Sequence, residues 1–175
     1  MEPTQTALIV PVPQAEPVVG PHRALLDAAA SWGVPAHVTV LYPFLPPQRS
    51  DQAVLAAVRD IVAAAPRTDI TFSHVDWFGD TVLWLAPRPD QLFLDLTAAL
   101  WRRFPQAPPY GGAHTQVVPH LTIGHDAARP VLENAAAAVR ARLPISATVE
   151  VVRLITGTPH HSPWRTVCEF PLAAR

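Results

Sequence analysis

The sequence predicts an α+β fold built from two similar halves. Its first support is a repeated order of expected elements, which runs helix, strand with a His-x-Thr sequence, helix, strand, strand. A second support is the repeat itself, HVTV at 37–40 and HLTI at 120–123, with a separation of 120 − 37 = 83 residues in a chain of 175. A third is a pair of Ala-rich helical stretches, VLAAVRDIVAAAP at 54–66 and VLENAAAAVRARLP at 131–144. Duplicated halves of this kind bring equivalent positions, here the two histidines, to a shared cleft.

In the first half, apolar spacing and the placement of Pro and Gly define the expected elements. Pro21 suits the first turn of a helix, because the N–H that it lacks has no helical partner there. Ser50 or Asp51 is the expected N-cap of the next helix, and Gly79-Asp80 suits a hairpin turn. The predicted elements are a strand at 6–12, a helix from 21 to 33, the His37 strand, a helix from 51 to 65, and strands at 70–78 and 81–86.

The second half follows the same order with one long interruption. Asp90 is a plausible N-cap of a helix that continues through Phe104. The composition of the next segment, PQAPPYGG, is typical of a loop. The remaining predicted elements are the His120 strand, a helix at 131–143, and a hairpin-like strand pair at 145–156 and 165–171 joined by the turn-rich connection GTPHHSPW.

Both His-x-Thr sequences alternate polar and apolar residues with the period of a strand. In the first, His37 and Thr39 share one face while Val38 and Val40 point into the core. His120 and Thr122 repeat this arrangement. Residues i and i+2 of a strand are roughly 6.5–7 Å apart, so each imidazole has a hydroxyl beside it.

Composition limits the classes of function. Hydrophobic residues make up 49% of the chain and charged residues only 15%, which favours a globular protein over a disordered one. The net charge of −1 excludes a broad basic surface that would hold a long nucleic acid, whereas a small or terminal phosphate remains possible. All 13 basic residues are Arg, whose planar guanidinium suits phosphate.

Cysteine usage and the absence of long apolar runs give further limits. With Cys168 as its only cysteine, the chain has no internal disulfide and no Cys-based zinc site. No HExxH, HxH or clustered carboxylate pattern indicates a metal site. The apolar stretch near the start is broken by Pro11 and Pro13, and no run approaches the ~18 apolar residues of a membrane helix. We expect a cytoplasmic monomer that does not interact with membranes.

The segments PAHVTVLYPF at 35–44, PPYGG at 108–112 and VVPHLTIG at 117–124 resemble the 2H phosphoesterase superfamily. That superfamily is named for two His-x-Thr/Ser-x motifs and includes proteins labelled 2′-5′ RNA ligases and RNA 2′,3′-cyclic phosphodiesterases. The resemblance covers nearly the entire chain. It implies one domain, residues 1–175, made of two packed pseudo-symmetric lobes. Each lobe is an antiparallel sheet with helices on its outer face, and the motifs face a central groove.

The resemblance also places His37, Thr39, His120 and Thr122 at the catalytic positions. Opening a cyclic phosphate requires one proton to be taken from water and another to be given to the departing sugar oxygen, and imidazole does either near neutral pH. The threonine hydroxyls would donate to the non-bridging phosphate oxygens. Neither a metal nor another cofactor is needed. Which histidine is base and which is acid depends on the P–O bond that breaks.

Further candidates for the substrate site are one arginine and three aromatic residues. Arg165 would contact a phosphate or a base, and the aromatic rings would stack on a base; the alternatives are a surface arginine and ordinary buried aromatic packing. His160 and His161 are expected in a solvated loop, and His125 points away from His120 if the strand continues. The three aromatic candidates are Tyr42, Trp77 and Tyr110.

These observations predict a metal-independent phosphoesterase that acts on 2′,3′-cyclic phosphates of nucleotides or RNA ends, with reverse 2′-5′ ligation as a related activity. The near-neutral charge favours short substrates over long duplexes. One alternative is a catalytically idle protein that binds nucleotides or RNA in the same groove, and another is a metal-dependent hydrolase. A cyclic phosphodiesterase for small molecules unrelated to RNA stays open, as do the natural substrate and the choice between 2′ and 3′ phosphate products.

Overall fold

The computed structural model describes residues 2–175, the side chain of Ser162 excepted, and contains two four-stranded antiparallel sheets with helices packed against them. The strands are β1 (Gln5–Pro11), β2 (His37–Leu41), β3 (Thr68–Phe78), β4 (Val82–Arg88), β5 (Leu121–His125), β6 (Ile145–Val149), β7 (Val151–Thr158) and β8 (His161–Pro171). Strand order is β2-β1-β7-β8 in the first sheet and β5-β4-β3-β6 in the second. This arrangement confirms the predicted α+β fold of two similar lobes.

Among the described residues, five α-helices connect the strands. Asp51 caps the third by accepting a hydrogen bond from the Val54 N–H at 2.9 Å, as the sequence predicts. Within residues 2–175, no helix combines the length and the apolar character that crossing a membrane requires. The helices are α1 (Glu16–Leu26), α2 (Ala28–Ser31), α3 (Gln52–Ala63), α4 (Gln91–Arg103) and α5 (Arg129–Arg140).

Helix α1 begins earlier than the sequence predicts, so Pro21 lies inside it and not in its first turn. Because proline has no N–H, the carbonyl of Pro17 loses its helical partner at Pro21. The Arg142 guanidinium donates to that carbonyl at 2.7 Å and satisfies it. This hydrogen bond from a distant part of the chain replaces the missing helical one. A proline can therefore lie inside the helix, although local propensity favours proline in the first turn.

The predicted strand at 145–156 is wrong in one respect, because it divides at Glu150 into β6 and β7. Buried side chains alternate at Ile145, Ala147 and Val149, and the buried positions shift phase to Val152 and Leu154 after the break. Consequently β6 pairs with β3 in the second sheet, whereas β7 lies between β1 and β8 in the first.

The expected long connection before the last strand is also wrong. Strand β8 starts at His161, which pairs with Thr158, so only Pro159 and His160 form the turn. His160 adopts a φ of 62°, the left-handed conformation that a tight turn requires. The two histidines of this segment therefore lie at a hairpin end and not in an extended loop.

The two His-x-Thr strands are neighbours in space. β2 and β5 are edge strands of their respective sheets, and they contact each other. α1 follows β1 of the first sheet but packs against β5 of the second, and α4 follows β4 of the second sheet but packs against β2 of the first. Each helix therefore covers the His strand of the sheet opposite to the one it leaves. Val38 and Val40 of β2 and Leu121 and Ile123 of β5 are at most 2% exposed and belong to one core cluster. The alternation predicted for both motifs is confirmed.

Candidate active site

His37 is the first residue of β2 and is half-buried. Its Nδ1 donates to the Pro35 carbonyl at 2.7 Å. Since a carbonyl oxygen only accepts, the proton lies on Nδ1 and the lone pair of the neutral ring lies on Nε2. Burial lowers the pKa of His37 to about 4, against the opposing effect of the bond to Pro35.

His120 repeats this geometry immediately before β5. Its Nδ1 donates to the carbonyl of Val118, again two residues earlier and again at 2.7 Å. Burial lowers the pKa of this ring too. Both imidazoles are therefore held as the same tautomer, in which Nε2 is the proton acceptor.

Three aromatic rings surround His120. Phe78 meets it edge-on with ring centroids 5.0 Å apart, Trp84 lies at 5.9 Å, and Tyr110 is stacked at 6.5 Å. Phe78 and Trp84 are in turn stacked on each other at 4.6 Å. These rings exclude water from one side of the imidazole, which accounts for the burial that depresses its pKa.

Tyr110 connects the two motifs. Its ring stacks on His120, and its hydroxyl faces Thr39, which lowers the Tyr110 pKa against the larger raising effect of burial. Its backbone is held at a φ of 52° and its N–H donates to the Tyr42 carbonyl at 2.6 Å. A strained backbone at a non-glycine residue is a feature that clusters at functional sites.

Both threonines lie on the same strand faces as their histidines. Thr39 pairs with Ile9 of β1, and Thr122 pairs with Trp84 of β4. Both side chains are half-buried, whereas the valine, leucine and isoleucine residues between and beside them are buried. Of the predicted site residues, the structure thus brings together the two histidines, the two threonines and Tyr110.

Tyr42 stands at the margin of this group. Its carbonyl receives the Tyr110 N–H, while its own hydroxyl donates to Gln5 Oε1 at 2.6 Å. Its ring packs 6.3 Å from that of Trp164. Tyr42 therefore supports the turn that carries Tyr110 and packs against a small second core cluster.

Trp77 and Arg165 lie elsewhere. Trp77 pairs with the buried Leu83, on the sheet face opposite Trp84, and the Arg129 guanidinium covers its ring at 3.6 Å. Arg165 is exposed and pairs with Thr156 of β7. Trp164, the residue before Arg165, packs with Ile9 on the side of Thr39, so Arg165 points to the other face.

The sequence did not indicate a charged cluster behind His37. Arg23 is 2% exposed and its Nη2 donates to Asp27 Oδ2 at 2.9 Å, while Glu16 accepts from the Ala36 N–H at 2.6 Å. The available signal was a spacing of seven and four residues, which aligns these side chains on one helix face. Phe78 and Trp84 were missed as well, and only the alternation of their strands pointed to them.

No group of three or more His, Cys, Asp or Glu side chains in the described part of the chain is arranged to hold a metal ion. His125 is exposed and lies 3.4 Å from the Asp126 carboxylate. Exposed histidine–carboxylate pairs of this kind are common on surfaces and contribute little energy.

Comparison with known proteins gives a family and a set of similar folds. The family model of the 2′-5′ RNA ligase superfamily matches residues 10–160. The crystal structure of E. coli LigT complexed with 3′-AMP has a TM-score of 0.65 at 17% identity, and the match covers 98% of this chain and 99% of that one. The crystal structure of TT0787 from Thermus thermophilus gives the same four values. A structure described as a phosphoesterase has a TM-score of 0.60 at 16% identity, covering 98% and 99% of the two chains.

At these identities the structural matches show a shared fold, and a search of curated proteins finds no match. The family match, in contrast, spans both His-x-Thr strands and most of the chain. It agrees with the proximity of the two motifs, whose strands contact each other. The chain belongs to the 2′-5′ RNA ligase superfamily.

Proposed function

We propose that the protein is a metal-independent phosphoesterase that hydrolyses 2′,3′-cyclic phosphates of nucleotides or RNA ends. The observation that carries the proposal is the pair of imidazoles on two contacting strands, each held by an Nδ1–H bond to the carbonyl two residues before it. Membership of the superfamily supports phosphoester chemistry in general. The structures of LigT complexed with 3′-AMP, ATP and NADP⁺ support a nucleotide as the class of ligand.

In the proposed reaction the two imidazoles have opposite tasks. His37, with a pKa of about 4, is neutral near pH 7 and accepts a proton from the attacking water through Nε2. As the water oxygen bonds to phosphorus, the bond to one ribose oxygen breaks, and His120 donates a proton to that oxygen. The anionic phosphate raises the pKa of the nearby imidazole and so favours the protonated acid. Acid–base assistance of this kind contributes ~10²–10⁴-fold.

The hydroxyl groups supply the electrostatic part of the proposal. Thr39 and Thr122 lie one strand repeat from the histidines and would donate to the non-bridging oxygens, where negative charge develops. Tyr110, whose hydroxyl faces Thr39, would stack on the nucleobase or line its edge. When the 5′-hydroxyl of a second RNA end attacks the phosphorus in place of water, the same groups would support 2′-5′ ligation.

A panel of 2′,3′-cyclic mononucleotides and short RNAs with cyclic ends tests the proposal, with separation of 2′ from 3′ phosphate products. We expect hydrolysis that a chelator leaves unchanged, a loss of ~10²–10⁴-fold in His37→Ala, and full activity in His74→Ala, an exposed histidine of β3. Binding of nucleoside 2′- or 3′-monophosphates without any turnover would instead support the idle binder. Inhibition by chelator would support a metal-dependent hydrolase.

A further inference from the structure

We propose that Glu16 is a positioning residue for His37 and that it acts through the peptide group joining Pro35 to Ala36. The inference rests on the proposed acid–base function of His37. It concerns a side chain that lies on α1 and does not itself belong to either His-x-Thr motif.

The peptide group between Pro35 and Ala36 is hydrogen-bonded at both ends. Its N–H donates to Glu16 Oε1 at 2.6 Å, and its carbonyl accepts the His37 Nδ1–H at 2.7 Å. Because the peptide is planar and conjugated, a carboxylate at the N–H shifts electron density toward the carbonyl oxygen. The carbonyl then becomes a stronger acceptor, and the Nδ1–H tautomer of His37 is favoured. The Glu16 carboxylate, the peptide group and the His37 imidazole thus form one hydrogen-bonded series.

The buried pair of Arg23 and Asp27 holds this hydrogen-bonded series in place. The Arg23 guanidinium donates to Asp27 Oδ2 at 3.1 and 2.9 Å and to the Val34 carbonyl at 3.2 Å, and it lies 4.0 Å from Glu16 Oε1. It therefore fixes the residue before Pro35. Asp27, 8% exposed, compensates the buried charge. The helix leaves room for the carboxylate at Gly20, where an added Cβ would lie 2.9 Å from Glu16 Oε2.

His120 has no such hydrogen-bonded series, and the sequence explains why. Its Nδ1 donates to the Val118 carbonyl, and the nitrogen of that peptide group belongs to Pro119. Proline carries no N–H, so no carboxylate can polarise this peptide through its nitrogen. The rings around His120 orient it instead. The effect of Glu16 is therefore specific to one of two otherwise matched histidines.

The test compares the two imidazoles within one protein by ¹⁵N NMR of their ring nitrogens. In the wild type both rings should carry the proton on Nδ1. In Glu16→Ala we expect His37 to become a mixture of tautomers while His120 is unchanged, and kcat for a cyclic phosphate to fall ~10-fold or more with KM within about twofold. Glu16→Gln, which keeps an acceptor oxygen, should restore most of kcat.

Gly20→Ala provides a second variant that separates positioning from stability. Alanine strengthens a helix relative to glycine, so the melting temperature should not fall, yet the new methyl displaces the carboxylate and should shift the His37 tautomer. An unchanged His37 signature in both variants, or equal changes at both histidines, would overturn the proposal. The ¹⁵N NMR spectra of the two rings are recorded without substrate. A protein that failed to hydrolyse cyclic phosphates would therefore refute the proposed function, whereas the effect of Glu16 on the His37 tautomer would still be tested separately.

Discussion

One hydrogen bond per imidazole determines what each histidine offers to a substrate. At both sites Nδ1–H is committed to a backbone carbonyl at 2.7 Å, which leaves Nε2 for proton transfer. Burial then lowers the pKa of each ring, so that both are neutral at physiological pH in the absence of ligand. The groups that face His37 include the buried Arg23 and Asp27, whose opposing charges partly cancel.

These pKa shifts predict the pH dependence of kcat/KM, which reports the free enzyme. A base must be neutral, so activity should fall as the pH drops through the pKa of His37, about 4. An acid must be protonated, so activity should fall again as the pH rises through the pKa of His120, which lies below 6.5. We expect a bell-shaped profile with its maximum between these values, measured on a cyclic mononucleotide. An acidic limb at or above pH 6.5 would contradict this assignment.

At the residue scale, the sequence predicted what depends on local periodicity. Alternation placed His37 and Thr39 on one face, and the repeat of the pattern pointed to a pairing with His120 and Thr122. The contact between Glu16 and Ala36 was not predictable, because it joins residues 20 apart through the angle at which α1 crosses the chain. The direction of Arg165 was not predictable either, since it follows the register of β8 with β7.

At the scale of elements, the site depends on two edge strands that meet. α4 secures one of them, because Thr97, 3% exposed, donates through Oγ1 to the Val40 carbonyl at 2.7 Å. The sequence predicted that β2 and β5 would approach each other. It did not predict that α1 would pack against β5 and α4 against β2. Nor did it predict the break at Glu150, since no proline or glycine marks it and only the phase of burial changes there.

The hydrogen bond from Thr97 can be tested with an isosteric change. In Thr97→Val the Val40 carbonyl loses its buried donor, so the free energy of unfolding should fall by about 1–3 kcal/mol. Thr81→Val, at an exposed turn position, is the matched control and should change it by less than about 0.5 kcal/mol. Urea denaturation measures both. Equal stability of the two variants would mean that α4 does not depend on this bond.

At the scale of the whole molecule, each lobe contains strands from both halves of the chain, and the two lobes share one hydrophobic core. The C-terminal segment passes from β6 in the second sheet to β7 in the first, and one core cluster contains side chains of both sheets. We propose that residues 1–175 form a single cooperative domain. The repeat in the sequence predicted two lobes, whereas their interleaving depends on long-range strand pairing that no local pattern encodes.

Cooperativity predicts one unfolding transition. Because neither lobe keeps a complete sheet without segments from the other half of the chain, tryptophan fluorescence and far-UV circular dichroism should give coincident curves in denaturant. The calorimetric and van't Hoff enthalpies should also agree. Two separated transitions would show instead that the lobes unfold independently.

The most direct test of the account is a double-mutant cycle on the two histidines, with kcat measured for a 2′,3′-cyclic phosphate. Each of His37→Ala and His120→Ala should lose ~10²–10⁴-fold, and the double variant should lose no more than about tenfold beyond the weaker single variant, because residues that act on one displacement are strongly non-additive. Circular dichroism confirms that each variant is folded. A folded single variant that keeps wild-type kcat, or losses that simply multiply, would contradict the claim that both imidazoles serve one phosphate.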